Sequence, residues 1–309
     1  MALDLGAQLV TETRAEPFEL ANGRVSALLC RSIKPNWVFA PVPCAQAATK
    51  IIAKNYVLSG AAINSPAVLL RSGASDPHRR LGIRTFLHPV VMSSSIFDQK
   101  VEAWRGAPQS VYTNHFLQTQ PIDDAMGYKL EAPLLHPLIF ASTVPGFGQG
   151  QHDLLSSFPH DHTLLVLLRD GFHDKAPGGQ VKLCGDGSPV PGYLLGDYVM
   201  QGACRALLSM MKIQFAAGAR QVLALPRTPR LLKIVSAHLM GGCGLAGSAY
   251  QGATRPDGVH WQLGNLSIHG GSIFPASISA NPQLWVYGAV NRLAQGLAKS
   301  LTGRNVVLA

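Results

Sequence analysis

The fold is decided by one stretch near the C-terminus, which reads Ser236-Ala237-His238-Leu239-Met240-Gly241-Gly242-Cys243 and continues, after a turn, as Gly264-Asn265-Leu266-Ser267-Ile268, Gly271-Ser272-Ile273-Phe274-Pro275 and Ala280-Asn281-Pro282. His238 and Asn281 each lie at a corner marked by glycine or proline, and a strand-like segment separates them. An imidazole and an amide in this arrangement can hold a substrate hydroxyl between a base and a hydrogen-bond donor. Two structural interpretations stay open, because a histidine beside glycines is often structural and Asn-Pro often only caps a helix.

Composition is typical of a globular protein. Hydrophobic residues make up 47% of the 309 residues and charged residues only 14%, which argues against disorder. The net charge is +9, but the basic residues are scattered, and their densest group lacks the aromatic side chains of a nucleic-acid-binding face. We therefore expect a small-molecule partner or an anionic cofactor, and no nucleic acid.

The cysteines and the first residues bear on location. The five cysteines are odd in number and include no Cys-x-x-Cys pair, which argues against a disulfide framework and against a metal site. The first residues lack the basic and apolar regions of a signal peptide, and the apolar runs are too short for a transmembrane helix. These features predict a soluble, cytoplasmic protein.

The first part of the chain predicts a hairpin and a strand–helix unit. Strands at 6–11 and 24–29 flank the turn Asn22-Gly23, and a buried strand at 56–60 leads into a helix. Ser65 and Pro66 are typical of the N-cap and first position of that helix.

The rest of the chain predicts two further helices. An amphipathic helix is expected from about residue 197 to 217, with Leu207, Met210, Met211 and Phe215 among its apolar residues. A final helix begins with Asn281 as N-cap and Pro282 as its first residue, and it ends near Gly303.

Two glycine motifs resemble dinucleotide-binding loops. Gly242-x-Gly244-x-x-Gly247 is followed at once by helix-breaking residues, although the motif requires a helix directly after it. The loop from Gly146 to Gly150 follows a strand-like segment at 138–142, but too few residues follow it for a βαβ crossover. A nicotinamide-dependent enzyme that uses the second loop is kept as an alternative.

Three segments together resemble the glucose–methanol–choline (GMC) oxidoreductases, flavoenzymes that oxidise alcohols. The run from Ala62-Ile63-Asn64-Ser65-Pro66 to Ser72-Gly73 is similar to the second signature of the family. The run His238-Leu239-Met240-Gly241-Gly242-Cys243 is similar to its histidine corner, nearest to the cholesterol-oxidase-like branch. The segment from Asn265 through Ser272-Ile273-Phe274-Pro275 to Asn281-Pro282 is similar to its C-terminal cofactor and active-site segment.

The resemblance implies an FAD cofactor and an alcohol substrate. It implies that His238 is the base, that Asn281 is the second active-site residue, and that Glu131 is a weaker third candidate that resembles a glutamate of the cholesterol-oxidase branch. The residues expected to contact FAD lie in the two glycine- or alanine-rich segments and beside Asn281: Ala62, Ile63, Ser65, Gly270, Gly271, Ser272 and Pro282.

The resemblance also implies the fold, an α/β cofactor domain that is interrupted by a mixed α+β substrate domain. Residues 1–85 are expected to form part of the FAD-binding domain, residues 86–231 the substrate domain, and residues 232–309 the return to the FAD-binding domain with the active-site segment. The spread of apolar residues in the middle segment permits a bulky apolar alcohol or a sterol.

The sequence departs from the family at three points. The strand, G-x-G-x-x-G loop and helix that hold the ADP half of FAD are not found, so the cofactor domain is expected to be incomplete. Ala61 stands where the family prefers Gly or Ser, and Gly270 stands where it usually has Asp. A non-enzymatic remnant, or a half-protein that needs a separate N-terminal FAD-binding partner, is therefore a further alternative.

Overall fold

The structure is a computed structural model that describes residues 2–34, 42–43, 49–107, 109–118, 125–144, 146–225 and 234–306. Cys44, one of the five cysteines used above, lies outside these residues. No helix within the described ranges is both long enough and apolar enough to cross a membrane.

The chain begins with the predicted hairpin. Strands β1 (Thr13–Ala21) and β2 (Arg24–Lys34) pair antiparallel around Asn22-Gly23, whose φ angles of 49° and 68° are those of a tight hairpin turn. Strands β3 (Val42–Pro43) and β4 (Thr49–Ile51) also pair with β2. The predicted strand at 6–11 is wrong, since the first strand of the hairpin begins only at Thr13.

A strand–helix unit follows. Strand β5 (Tyr56–Leu58) leads into helix α1 (Ala61–Arg71) and pairs in parallel with the later strand β15 (Leu266–Ile268). The apolar side chains of both strands pack against Val68 and Leu69 of α1. The two strands are far apart in the chain, and this parallel pair packed against a helix fits the predicted α/β fold.

Helix α1 starts five residues earlier than Ser65-Pro66 predicted. Gly60 is its N-cap, and Pro66 lies inside the helix. Proline at this position removes the hydrogen bond that its N–H would donate to the carbonyl of Ala62. The prediction failed because Pro is most common in a first turn, whereas the buried face of α1 (Ala62, Ser65, Pro66 and Leu69) outweighs one lost hydrogen bond.

The middle of the chain forms a five-stranded antiparallel sheet. Its spatial order is β13 (Gln221–Leu225), β7 (Val90–Ile96), β10 (Asp161–Leu168), β9 (Tyr128–Glu131) and β8 (Tyr112–Thr113). Helix α4 (Asp197–Ala216) covers one face and confirms the predicted long helix, although Phe215 is exposed rather than part of the core. Lys129 and Glu131 alternate with Tyr128 and Leu130 along β9, so they lie on the face opposite α4.

Two short helices precede β10, namely α2 (Pro137–Thr143) and α3 (Gln149–Ser156). The strand predicted at 138–142 is therefore wrong, because that segment is α2. The loop from Gly146 to Gly150 follows a helix and lacks the preceding strand that a dinucleotide motif requires. This removes the structural basis of the nicotinamide alternative.

A third sheet joins distant parts of the chain. Its order is β12 (Pro189–Gly192), β11 (Gly179–Leu183), β6 (Ile83–Phe86) and β14 (Met240–Gly241). The sheet draws strands from all three predicted segments, and the boundaries at 85/86 and 231/232 stay predictions.

The chain ends in helix α5 (Gln283–Thr302), which stops at Gly303 as predicted, with a φ of 70°. The predicted N-cap is wrong. Pro282 occupies the N-cap position, and the side chain of Asn281 does not cap the helix. Asn281 is thus available for other contacts.

Candidate functional site

His238 lies just before β14, and the backbone turns sharply after it at two residues that have to be glycine. Gly241 and Gly242 have φ angles of 84° and 93°. A Cβ at Gly241 would lie 1.9 Å from the carbonyl oxygen of Arg84, and one at Gly242 would lie 2.9 Å from that of Ala62. The corner therefore packs directly against β6 and α1, and this packing fixes the position of His238.

A second histidine faces His238. The Nδ1 atoms of His238 and His88 are 3.2 Å apart, and the ring centroids are 5.2 Å apart. His88 is fully buried in the link between β6 and β7, where its φ of 54° lies in the left-handed region. His238 itself is half-buried.

Asn281 is held by two charged side chains of β9. Its Oδ1 accepts a hydrogen bond from Lys129 Nζ at 3.2 Å, and its Nδ2 donates to Glu131 Oε2 at 3.3 Å. Lys129 Nζ and Glu131 Oε1 form a buried ion pair at 2.6 Å, and Nζ lies 4.2 Å from the centre of the Tyr112 ring.

The ion pair determines how the amide of Asn281 is turned. An ammonium group only donates hydrogen bonds and a carboxylate only accepts them, so the reversed amide would set donor against donor and acceptor against acceptor. The amide NH₂ carries two hydrogens, of which Glu131 takes one. Among the described residues no acceptor takes the other hydrogen, so one donor of Asn281 is left for a ligand.

Burial keeps the two histidines neutral. Burial lowers the pKa of His238, the carboxylate of Glu131 opposes that shift, and the ammonium of Lys129 adds to it. Burial also lowers the pKa of His88 to about 3, with smaller contributions from His238 and Lys129. A neutral imidazole at position 238 can accept a proton at neutral pH.

The predicted cofactor residues are adjacent to the histidine corner. Ala62 and Ser65 are buried in α1, the carbonyl oxygen of Ala62 lies next to Gly242, and Ile63 is half-buried. The backbone of Cys243 donates to the carbonyl of Ser272, which ties the second predicted segment to the same corner. Pro282 directly follows Asn281.

The structure offers several features that fit a bound cofactor here. The hydroxyl groups of Ser65 and Ser272 are buried without a hydrogen-bond partner among the described residues. Gly270 has a φ of 114°, and the space that its Cβ would take is open to 4 Å. A cavity of about 590 Å³ lies between β1, the end of β5 and α1, but none of the predicted cofactor residues lines it. In α/β folds, ligands bind where parallel strands end and helices begin.

Sequence reasoning missed Lys129 and His88. Lys129 had a usable signal, because residues two apart on a strand share a face, and Glu131 was already a candidate. His88 had none, since the two histidines are brought together by the pairing of β6 with β14 and by the bridge between Val90 and Val235.

Comparison with known proteins agrees with this arrangement. Two family models match, both described as GMC oxidoreductase, one over residues 1–90 and the other over residues 178–289. The match over residues 1–90 does not support the expectation that the N-terminal segment of the family is missing. The placement nearest to the cholesterol-oxidase-like branch also receives no support.

Individual relatives are distant. The chain is 23% identical to the long-chain-alcohol oxidase FAO4B of Arabidopsis thaliana, over 99% of this chain and 44% of that protein. It resembles the crystal structure of pyridoxine 4-oxidase from "Mesorbium loti", with a TM-score of 0.68, 16% identity and coverage of 94% of this chain and 57% of the other. It also resembles a formate oxidase from Aspergillus oryzae studied for its FAD modification, with a TM-score of 0.69, 13% identity and coverage of 95% and 61%. The chain spans about half the length of the curated relatives it matches.

Proposed function

We propose, because this chain belongs to the GMC oxidoreductase family, that it binds FAD and oxidises the CH–OH group of an alcohol. The observation that carries the proposal is the convergence of His238, Asn281 and Glu131. These three residues come from separate parts of the chain. Asn281, Glu131 and Lys129 form one hydrogen-bonded polar cluster, and the charges of Glu131 and Lys129 act on the half-buried His238.

His238 is the base in this proposal. Its imidazole takes the hydroxyl proton of the alcohol, and the free donor of Asn281 binds the alcohol oxygen and orients it. FAD, when bound, supplies the acceptor for the hydride that leaves the carbinol carbon. Lys129 and Glu131 hold the Asn281 amide in the orientation that this role needs.

The residues proposed to hold FAD are those that border the histidine corner. Ala62, Ile63 and Ser65 lie in the first turns of α1, whose N-cap residue Gly60 provides no side-chain cap. The backbone N–H groups of such a helix start bind anionic groups. Gly270, Gly271 and Ser272 belong to the second segment, which is hydrogen-bonded to the histidine corner through Cys243. Pro282 restricts the backbone next to Asn281.

We propose an apolar alcohol as the substrate class. The strand register places Leu165 opposite Glu131 and Met92 opposite Leu165, on the sheet face that carries Lys129. Val90 and Leu167 extend this apolar surface.

The test is a reconstitution with FAD followed by turnover of primary alcohols of increasing chain length and of a sterol. We expect visible flavin absorbance, and a loss of turnover of about 10²–10⁴-fold in His238→Ala, the range for a general base, with flavin content unchanged. The matched control is His152→Ala, since His152 is exposed on α3. Unchanged turnover in His238→Ala would contradict the assignment.

A second proposal concerns a protein partner. A two-stranded parallel sheet buries too little to be stable alone, and Val57 on β5 is 48% exposed. The start of α5 exposes Leu284 at 79% and Trp285 at 62%. We propose that the exposed apolar residues of β5 and of α5 bind an FAD-binding segment of the GMC type, which completes the cofactor domain.

Co-expression with the N-terminal FAD-binding segment of a longer family member tests this second proposal. We expect co-elution and a flavin content above that of the chain alone, and loss of both effects in Trp285→Glu. Tyr250→Glu is the control, because Tyr250 is an exposed aromatic residue far along the chain from α5. The proposal fails if the added segment does not raise the flavin content above that of the chain alone, or if Trp285→Glu has no effect.

A further inference from the structure

We propose that His88 is a positioning residue, which holds His238 in the Nδ1–H tautomer by accepting a hydrogen bond from that nitrogen. Nε2 of His238 is then the nitrogen with a lone pair for the alcohol. The role of the contact rests on the proposed function, whereas the tautomer itself is a property of the protein without substrate or cofactor.

The geometry requires one hydrogen between the two rings. The two Nδ1 atoms are 3.2 Å apart, which is a hydrogen-bond distance. A hydrogen bond there requires that one of the two nitrogens carries a hydrogen and that the other offers its lone pair. Both imidazoles are neutral at neutral pH, for the reasons given above, so each carries one hydrogen. The choice of donor therefore sets the tautomer of both rings.

Only one choice lets His238 act as a base. If His88 donated, His238 would carry its hydrogen on Nε2 and would have no lone pair facing the site. Proton uptake at Nδ1 would then set two N–H groups against each other at 3.2 Å. If His238 donates instead, Nε2 accepts the proton and the contact to His88 is kept in both charge states.

His88 is well suited to a fixed role. It is fully buried, and its φ of 54° is a conformation that few residues other than glycine adopt. Such a conformation persists only where the surrounding structure imposes it. Within the described residues Nε2 of His88 has no hydrogen-bond partner, so the contact with His238 is the polar interaction of this ring that the structure shows.

Nitrogen NMR of the ¹⁵N-histidine-labelled chain, prepared without FAD, tests the inference. Multiple-bond ¹H–¹⁵N correlation spectra distinguish the two tautomers, and His238→Gln assigns the signal of His238. We expect the Nδ1–H tautomer to predominate for His238. In His88→Asn we expect the Nε2–H tautomer to gain population, because asparagine tolerates a positive φ but its side chain is too short to replace the imidazole.

His260→Asn is the matched control. His260 is also a buried imidazole, and burial lowers its pKa to about 4, but its Nδ1 accepts from the backbone of Gln262. This variant is expected to leave the tautomer of His238 unchanged.

Three results would overturn the inference: a wild-type His238 that carries its hydrogen on Nε2, a His238 signal that His88→Asn does not change, or an equal change in His260→Asn. If His88→Asn fails to fold, the wild-type spectrum still decides. A chain that binds no flavin but shows the Nδ1–H tautomer would contradict the proposed function alone.

Discussion

Replacement of Asp161 by asparagine is predicted to remove a pH dependence of folding. Asp161 is fully buried at the start of β10, where one carboxyl oxygen accepts from the hydroxyls of Ser94 and Thr163, both at 3.2 Å. The other oxygen has no partner among the described residues. Burial raises the pKa of Asp161 to about 7, although the two hydroxyls oppose the shift.

The sign and size follow from that pKa. The folded state binds the proton more tightly than the unfolded state, whose pKa is near 3.8, so stability is lost as pH rises from about 4 to about 7. At about 1.4 kcal/mol per pKa unit, the full loss is about 4 kcal/mol above pH 7. Asparagine does not titrate, so Asp161→Asn should escape this loss and be more stable than the wild type at high pH.

Urea denaturation at several pH values between about 4 and 8 measures the effect as a difference in free energy of unfolding. The difference between Asp161→Asn and the wild type isolates Asp161, because the other groups titrate in both proteins. The exposed Asp98, whose side chain is 85% accessible, gives the control Asp98→Asn. A difference between Asp161→Asn and the wild type that stays constant across this pH range would refute the reasoning.

Three further predictions concern single contacts and are measured by the same denaturation assay. Ala61→Gly should stabilise the chain by about 0.5–1 kcal/mol, because Ala61 has a φ of 59° and a left-handed backbone is unfavourable for alanine. A destabilised variant would contradict this. Gly241→Ala should destabilise by at least about 2 kcal/mol, since its Cβ would overlap the carbonyl of Arg84, and a variant of wild-type stability would exclude the tight corner. Lys129→Met should lower the free energy of unfolding by about 3–5 kcal/mol, because it leaves Glu131 buried without its cation. The double variant Lys129→Met with Glu131→Gln should recover most of this loss. Equal losses in the single and the double variant would show that the ion pair is unimportant.

The sequence predicted elements where local chemistry dominates. Asn22-Gly23 specified its hairpin turn, and the spacing of apolar residues specified α4. It failed where tertiary packing outweighs a local preference, as at Pro66 inside α1 and at residues 138–142, whose short apolar run fits a strand and a helix equally well.

The candidate site divides in the same way. The sequence motifs allowed His238, Asn281 and Glu131 to be proposed, because residues at matching positions in a family are expected to have the same role. The ion pair that orients Asn281 and the histidine that faces His238 depend on which strands pair, and strand pairing cannot be inferred from one sequence.

The distances along the chain between the partners at the site have a consequence for folding. His88 and His238 are 150 positions apart, and Glu131 and Asn281 are also 150 positions apart. Contacts between such distant positions carry a high entropic cost of loop closure and belong to slow steps of folding. The polar cluster should therefore assemble only when both ends of the chain have docked on the five-stranded sheet, so a folding intermediate with native-like helices and strands would still lack the site.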